Sequence, residues 1–284
     1  MSPQTTRFAP SPTGRLHLGH AFSALVAWDL ARSSNGRFLL RIEDIDLTRC
    51  RPEFIEGIYE DLSWLGISWE LPVRIQSKHH EETQEALLRL ERMGLLYPCF
   101  CTRKDILREI ESAAAAHHGL DEIVYPGTCK ILSPEQRSRF LEAGAPHSLR
   151  LDLAKALEVT GSLKWEELDQ GIVSSDPQLL GDVVLARKDV ASSYHLSVTV
   201  DDALQGVTLV SRGMDLFPAT AIHRVLQSLL GLPEPRYHHH ALLRDEAGRR
   251  LSKRDRAVTL QALRESGVPA NEVRDRCWRL AGRA

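Results

Sequence analysis

Arg7-Phe8-Ala9-Pro10-Ser11-Pro12-Thr13-Gly14 leads through Arg15-Leu16 into His17-Leu18-Gly19-His20-Ala21-Phe22. The first four residues read as a short extended run, and Ser-Pro-Thr-Gly as a turn-rich bend. From there Leu18, Ala21, Phe22, Leu25 and Val26 recur at i, i+3, i+4, i+7 and i+8, the stripe of an amphipathic helix. Gly36 punctuates, and Phe38-Leu39-Leu40-Arg41-Ile42 reads as a buried strand. Strand, loop, helix and strand in this order open a parallel α/β sheet.

Two more helices follow. Pro52 stands near the start of one, with Phe54, Ile55, Ile58, Leu62 and Leu65 inward and Gly66 as its stop; the next covers about 79–93 and ends at Gly94. From Pro98 to about Asp182 the pattern changes. This stretch holds three clustered cysteines, an Ala-rich helix, a His117-His118-Gly119 loop and a helix start at Ser133-Pro134. It reads as an insertion. The α/β pattern resumes with strands at 182–187 and 207–210. A helix through Ile222, Val225, Leu226, Leu229 and Leu230 then closes at Gly231. The division expected is 1–97 with 182–237 as one α/β domain, 98–181 as the insertion, and 238–284 as a helical region.

The chain has 284 residues, enough to bury a sizeable core, with 43% hydrophobic and 26% charged residues. No apolar run reaches the ~18 residues of a membrane span, and the first residues lack the apolar core of a secretory signal. A cytoplasmic protein is expected. Five cysteines, an odd number, argue against a disulfide framework. The net charge of -2 excludes a generally basic, nucleic-acid-coating protein, but its distribution is uneven. Residues 241–284 carry 11 basic and 6 acidic side chains, a flank suited to a phosphate backbone or simply to a solvated helix.

His17 and His20 stand three apart at the head of the first helix, where unpaired N–H groups and the helix dipole welcome an anion. Gly19 between them lets a ligand approach the backbone. Alone, such a pair is more often a set of ordinary surface histidines or a metal pair. Five further stretches accompany it: Arg41-Ile42-Glu43-Asp44, Ser193-Tyr194-His195-Leu196, Asp201-Asp202, Arg212-Gly213-Met214-Asp215-Leu216, and Arg250-Leu251-Ser252-Lys253-Arg254. Together, and in this order, they resemble the signatures of class I aminoacyl-tRNA synthetases, specifically the glutamyl branch, over nearly the whole chain.

That resemblance implies a Rossmann-like parallel sheet with a zinc-containing insertion and a small C-terminal helical region. It implies activation of L-glutamate by ATP with Mg²⁺. His17, Gly19, His20 and Lys253 would hold the nucleotide, with His17, His20 and Lys253 acting on its phosphates. Arg7, Ser11, Glu43, Tyr194 and Arg212 would bind the amino acid. The residue types suit the task, since glutamate offers two carboxylates and one ammonium, matched by two arginines and one carboxylate. A compact lysine on a loop suits the β- and γ-phosphates.

Cys99, Cys101 and Cys129 supply three thiolates, and a tetrahedral structural zinc needs a fourth ligand. Chemistry alone nominates His117 or His118; the resemblance favours Tyr125 in Tyr-x-x-x-Cys. Cys50 and Cys277 have no visible partners in the sequence.

The chain stops 30 residues after Arg254. That matches the short members of the family, which lack the anticodon-reading body, activate glutamate without tRNA and attach it to queuosine in the anticodon of tRNA(Asp). The expected acceptor is therefore queuosine-bearing tRNA(Asp), and the expected state a monomer. A minimal enzyme charging a tRNA 3′ end, and a non-catalytic tRNA-binding relative, are the rival readings. The sequence departs from the family pattern at Ile45, Asp189-Val190 and Arg254, none of which is assigned to chemistry.

Overall fold

The computed structural model describes residues 2–112, 124–188, 192–243 and 258–282. His117, His118, Asp189-Val190 and the Arg250–Arg254 stretch with Lys253 lie outside the described residues.

β1 (Thr5–Phe8), β2 (Arg37–Ile42) and β3 (Glu70–Ile75) form a parallel sheet in that order, connected by α1 (Leu18–Ser33) and α2 (Pro52–Trp64). In β2 every residue after Arg37 is buried. This is the near-continuous apolar run of a strand covered on both faces. Phe38, Leu40 and Ile42 join one core cluster with Phe22, Leu25 and Trp28 of α1, whereas Leu39 points the other way onto Trp165, Val210 and Tyr237. Each large apolar side chain so buried stabilises the fold by about 1.5–3 kcal/mol. Gly36 has to be glycine, because a Cβ there would collide with the backbone of Gln4.

After α3 (His80–Arg92) the chain forms β4 (Leu96–Cys99), α4 (Arg103–Ser112), α5 (Pro134–Glu142), β5 (Ser148–Leu151), α6 (Leu153–Thr160), β6 (Trp165–Glu167), β7 (Gly171–Val173) and β8 (Val184–Ala186). Then come α7 (Tyr194–Leu204), β9 (Leu209–Gly213), α8 (Ala219–Leu230), β10 (Arg236–His240), α9 (Leu260–Glu265) and α10 (Ala270–Leu280). β9, β10 and β6 run parallel to one another, with β7 antiparallel at the edge. Thr208 N donates to Thr5 O at 3.0 Å, and Thr5 N to Thr208 Oγ1 at 2.9 Å, so this second sheet meets the first beside β1. The chain thus winds outward through β2 and β3 on one side of β1 and through β9 and β10 on the other. The crevice at such a reversal, beyond the carboxyl ends of the strands, is where open α/β sheets bind ligands.

Three elements differ from the sequence reading. The strand expected in 182–187 pairs antiparallel with β5, in a separate sheet of order β4-β5-β8. A three-residue apolar strand carries no sign of its partner. β6, inside the stretch read as an insertion, pairs with β10 and places Trp165 in the core at 1% exposure. The region read as helical from residue 238 begins with the last three residues of β10, His238–His240, all buried. Histidine is not a strand former; pairing with β9 and the polar partners described below override its preference.

Candidate active site

His17 is the N-cap of α1, with extended backbone, rather than a residue of its first turn. Its Nδ1 accepts from Gly19 N at 3.1 Å, and Nδ1 of His20 accepts from His17 N at 3.2 Å. The two imidazoles form a reciprocal capping box, their rings 3.8 Å apart. An Nδ1 that accepts leaves the proton on Nε2. The cap therefore selects the tautomer that presents N–H donors beyond the helix end. The first turn holds no acidic residue to neutralise that end.

A cavity of about 540 Å³ opens at the carboxyl ends of β1, β9 and β10, lined by Arg7, Ser11, His17, Gly19, His20, Glu43, Tyr194 and Arg212. All eight described residues nominated for the amino acid and the nucleotide thus share one wall system. They come from β1, the following bend, the α1 cap, the segment after β2, the start of α7 and β9.

Arg7 donates through Nε to Asp202 Oδ1 at 2.9 Å and through Nη1 to Ser211 O at 3.1 Å. Arg41, wholly buried, donates to the same Asp202 oxygen at 2.7 Å and to Glu43 Oε1 at 3.0 Å. Burial pushes the Asp202 carboxyl up, but Arg7 and Arg41 outweigh it and hold it below the usual carboxylate range. Glu43 goes the other way: burial raises its pKa, with Arg41 and Arg7 pulling it only part of the way back. A bound ammonium would supply the missing counter-charge at Glu43.

Arg212 is held on three edges of its guanidinium. Nε donates to His239 Nε2 at 3.1 Å, Nη2 to Thr220 Oγ1 at 2.7 Å, and Nη1 lies 3.1 Å from His223 Nδ1 and 3.4 Å from Tyr194 Oη. His239 Nδ1 in turn lies 2.9 Å from Glu167 Oε2, and His223 Nε2 lies 3.2 Å from His195 Nδ1. Because the guanidinium can only donate, both histidines facing it must accept and stay neutral. Burial and Arg212 lower His239 and His195 to about 4, and hold His223 well below its ordinary value. Burial raises the phenol of Tyr194, which stays protonated. Sequence reasoning missed Glu167, Thr220, His223 and His239; the run His238-His239-His240 was the one available signal.

Lys253 is outside the described residues, but both flanks of its segment reach this cavity. Leu242 and Leu243 line it, and Thr259 forms a β-bridge with His17 while Leu260 N donates to Leu16 O at 2.9 Å.

The three thiols of Cys99, Cys101 and Cys129 have their sulfurs within 4.8 Å of one another, and the Cys101–Cys129 separation is 3.4 Å. Tetrahedral zinc with Zn–S near 2.3 Å spaces its sulfurs just under about 4 Å. The cluster therefore fits a metal ion. Tyr125 Oη lies 3.7 Å from Cys101 Sγ and accepts from Cys129 N at 2.7 Å, with the Arg150 guanidinium 3.8 Å over its ring. Burial drives Cys101 up to about 12; at Cys99 burial is outweighed by hydrogen bonds from Tyr125 and Arg150, which keep its thiol below the usual value.

Residues 4–282 match the family described as tRNA synthetases class I (E and Q), catalytic domain. The chain belongs to that family. Glutamyl-Q tRNA(Asp) synthetase of Rhodobacter capsulatus is 49% identical over 95% of this chain and 98% of its own length, and the protein of the same name from Nocardia farcinica is 43% identical over 94% and 81%. A glutamate tRNA ligase from Elizabethkingia meningosepticum, solved in complex with its amino acid, superposes with a TM-score of 0.74 at 28% identity. The chain spans about half of that ligase, 52%, while 89% of the chain is covered. By this kinship with the class I (E and Q) synthetases, it is an aminoacyl-tRNA synthetase-like ligase.

Proposed function

We propose that the protein activates L-glutamate with ATP in the absence of tRNA and transfers the glutamyl group to queuosine at the wobble position of tRNA(Asp). The observation that carries activation is the convergence of Arg7, Glu43 and Arg212 with the His17–His20 cap around one cavity at the sheet's switch point. The acceptor is taken from the names of the similar relatives.

Arg7 and Arg212, already fixed by Asp202 and the histidine network, offer preformed grips for two carboxylates, and Glu43 takes the ammonium. A glutamate α-carboxylate oxygen attacks the α-phosphorus, and the bond from phosphorus to the bridging oxygen of pyrophosphate breaks. Nε2–H groups of His17 and His20 donate to the α-phosphate oxygens as charge builds, and Lys253 closes over the β- and γ-phosphates. Mg²⁺ accompanies the nucleotide and neutralises part of its charge. A ring hydroxyl of queuosine then attacks the carbonyl carbon, the carbon–oxygen bond to AMP breaks, and the hydroxyl proton passes to the departing phosphate. Zinc held by Cys99, Cys101, Cys129 and Tyr125 would fix the fold of the inserted segment.

Two assays test this. Glutamate-dependent pyrophosphate exchange without tRNA should proceed, and labelled glutamate should enter tRNA(Asp) only when queuosine is present. Labelling that ignores the modified base would instead assign a 3′-end charging enzyme. No exchange from folded protein would leave a non-catalytic RNA binder.

A further inference from the structure

A second cavity, of about 520 Å³, shares the wall formed by Ser11, Glu43 and Tyr194 with the glutamate cavity. A group entering it meets the amino acid across that wall. Its outer lining is ionic: Asp46, Arg49, Arg103 and Arg187. Asp46 is at the centre, its side chain 13% exposed, with Oδ2 2.9 Å from Arg49 Nε and 3.5 Å from Arg187 Nη1. Oδ1 accepts from Thr48 Oγ1 at 2.6 Å. The Thr48 bond, joined by the two arginines, outweighs the opposing effect of burial and keeps this carboxylate charged down to about pH 2. The arginines are the loose partners, at 68% and 44% exposure, and ion pairs of that kind contribute only ~0–1 kcal/mol. A fixed anion with exchangeable cations is a receptor for another cation.

Resting on the function proposed above, we infer that Asp46 is the specificity residue for the acceptor: it binds the secondary ammonium that links queuosine's ring to its base. On binding, the ammonium replaces Arg49 and Arg187 at Asp46. The two released guanidinium groups turn to the anticodon phosphates, and the ring diol enters at the shared wall. Unmodified guanosine brings no cation to this exchange, and neither does the terminal adenosine of a tRNA 3′ end. Phosphate contacts supply register and the Asp46 contact supplies discrimination.

The test uses the full chain with the anticodon stem-loop of tRNA(Asp), carrying queuosine or guanosine at the wobble position. Glutamate-dependent exchange, which draws on the other cavity, reports that each variant is folded. Asp46→Asn should lower kcat/KM for transfer to the queuosine stem-loop 10- to 100-fold and bind the two stem-loops alike. Asp46→Glu should recover part of the preference. Arg49→Ala and Arg187→Ala should weaken both stem-loops equally and each reduce the salt slope of binding by about 1. The inference is overturned if Asp46→Asn keeps the wild-type preference, or if its exchange falls in step with transfer. Wild-type protein that fails to label queuosine overturns the function itself, before any variant is compared.

Discussion

Nε of Arg212 lies 3.1 Å from Nε2 of His239, and this contact decides which nitrogen of the ring carries its proton. The imidazole accepts, so its other nitrogen carries the proton toward Glu167, whose second oxygen accepts from His239 N at 2.6 Å. Arg212 is thereby aimed by a side chain two strands away. His239→Phe should leave the guanidinium without its Nε acceptor and raise KM for glutamate in exchange on the order of tenfold, about 1.4 kcal/mol, with KM for ATP unmoved. Equal changes in both constants would mean that the ring acts on the fold rather than on Arg212.

Arg212→Lys keeps the charge and discards the fork. A lysine cannot serve Thr220, His239 and His223 while also gripping a carboxylate in two places. Exchange kcat/KM for glutamate should fall by ~2–4 kcal/mol of barrier. Retention of more than a tenth of the wild-type value would remove Arg212 from amino-acid binding.

The double role of His17, as cap and as donor, is separable. Asparagine is among the best N-caps, so His17→Asn should change stability by less than about 1 kcal/mol while the Nε2 donor disappears. The exchange rate should then drop 10²–10³-fold. Lys253→Ala should show a barrier rise of ~2–4 kcal/mol in the same assay. An unaltered rate in either variant would dismiss that residue from phosphate chemistry.

How far the sequence reached is visible in these same residues. Arg7, Glu43, Tyr194 and Arg212 were legible because each sits inside a stretch that resembles a family signature, and the strand–bend–helix opening placed them on a parallel sheet. The network behind them was not. Thr220 and His223 share α8 with the apolar stripe that marks it as a core helix, and His239 falls in the region read as helical from residue 238. Their roles follow from strand pairing between β9 and β10, which no local periodicity encodes. The partner of β8 was hidden for the same reason. The capping role of His17 could not be read because histidine is not a usual cap; two imidazoles in register, with Gly19 between them, create it.

For the thiol cluster the expected result is about one zinc per chain by elemental analysis, lost when Cys99 and Cys101 are both replaced by Ala. Tyr125→Phe should keep the three thiolates but open the fourth position, weakening retention against a chelator. Undiminished retention would point to a ligand other than Tyr125.

Acid stability follows from the neutral histidines. His195 and His239 have folded pKa values of about 4 against an unfolded value near 6.5, so the unfolded chain binds their protons first as pH falls. Their stabilisation is intact above about pH 6.5 and is lost progressively from there to about pH 4. His223, also depressed, adds in the same direction. Asp202 acts likewise, since its lowered carboxyl contributes above the unfolded value and fades as pH drops through the folded one. Each histidine proton taken up on unfolding adds a slope of about 1.4 kcal/mol per pH unit. Glu43 and Asp61, both raised by burial and Asp61 to about 6, act in the opposite sense. The melting temperature should therefore fall between pH 6.5 and 4.5 with the net slope that the three histidines leave. His195→Asn, which removes one of these protons, should flatten that descent, and a wild-type profile level across this interval would show that the rings are charged in the folded protein.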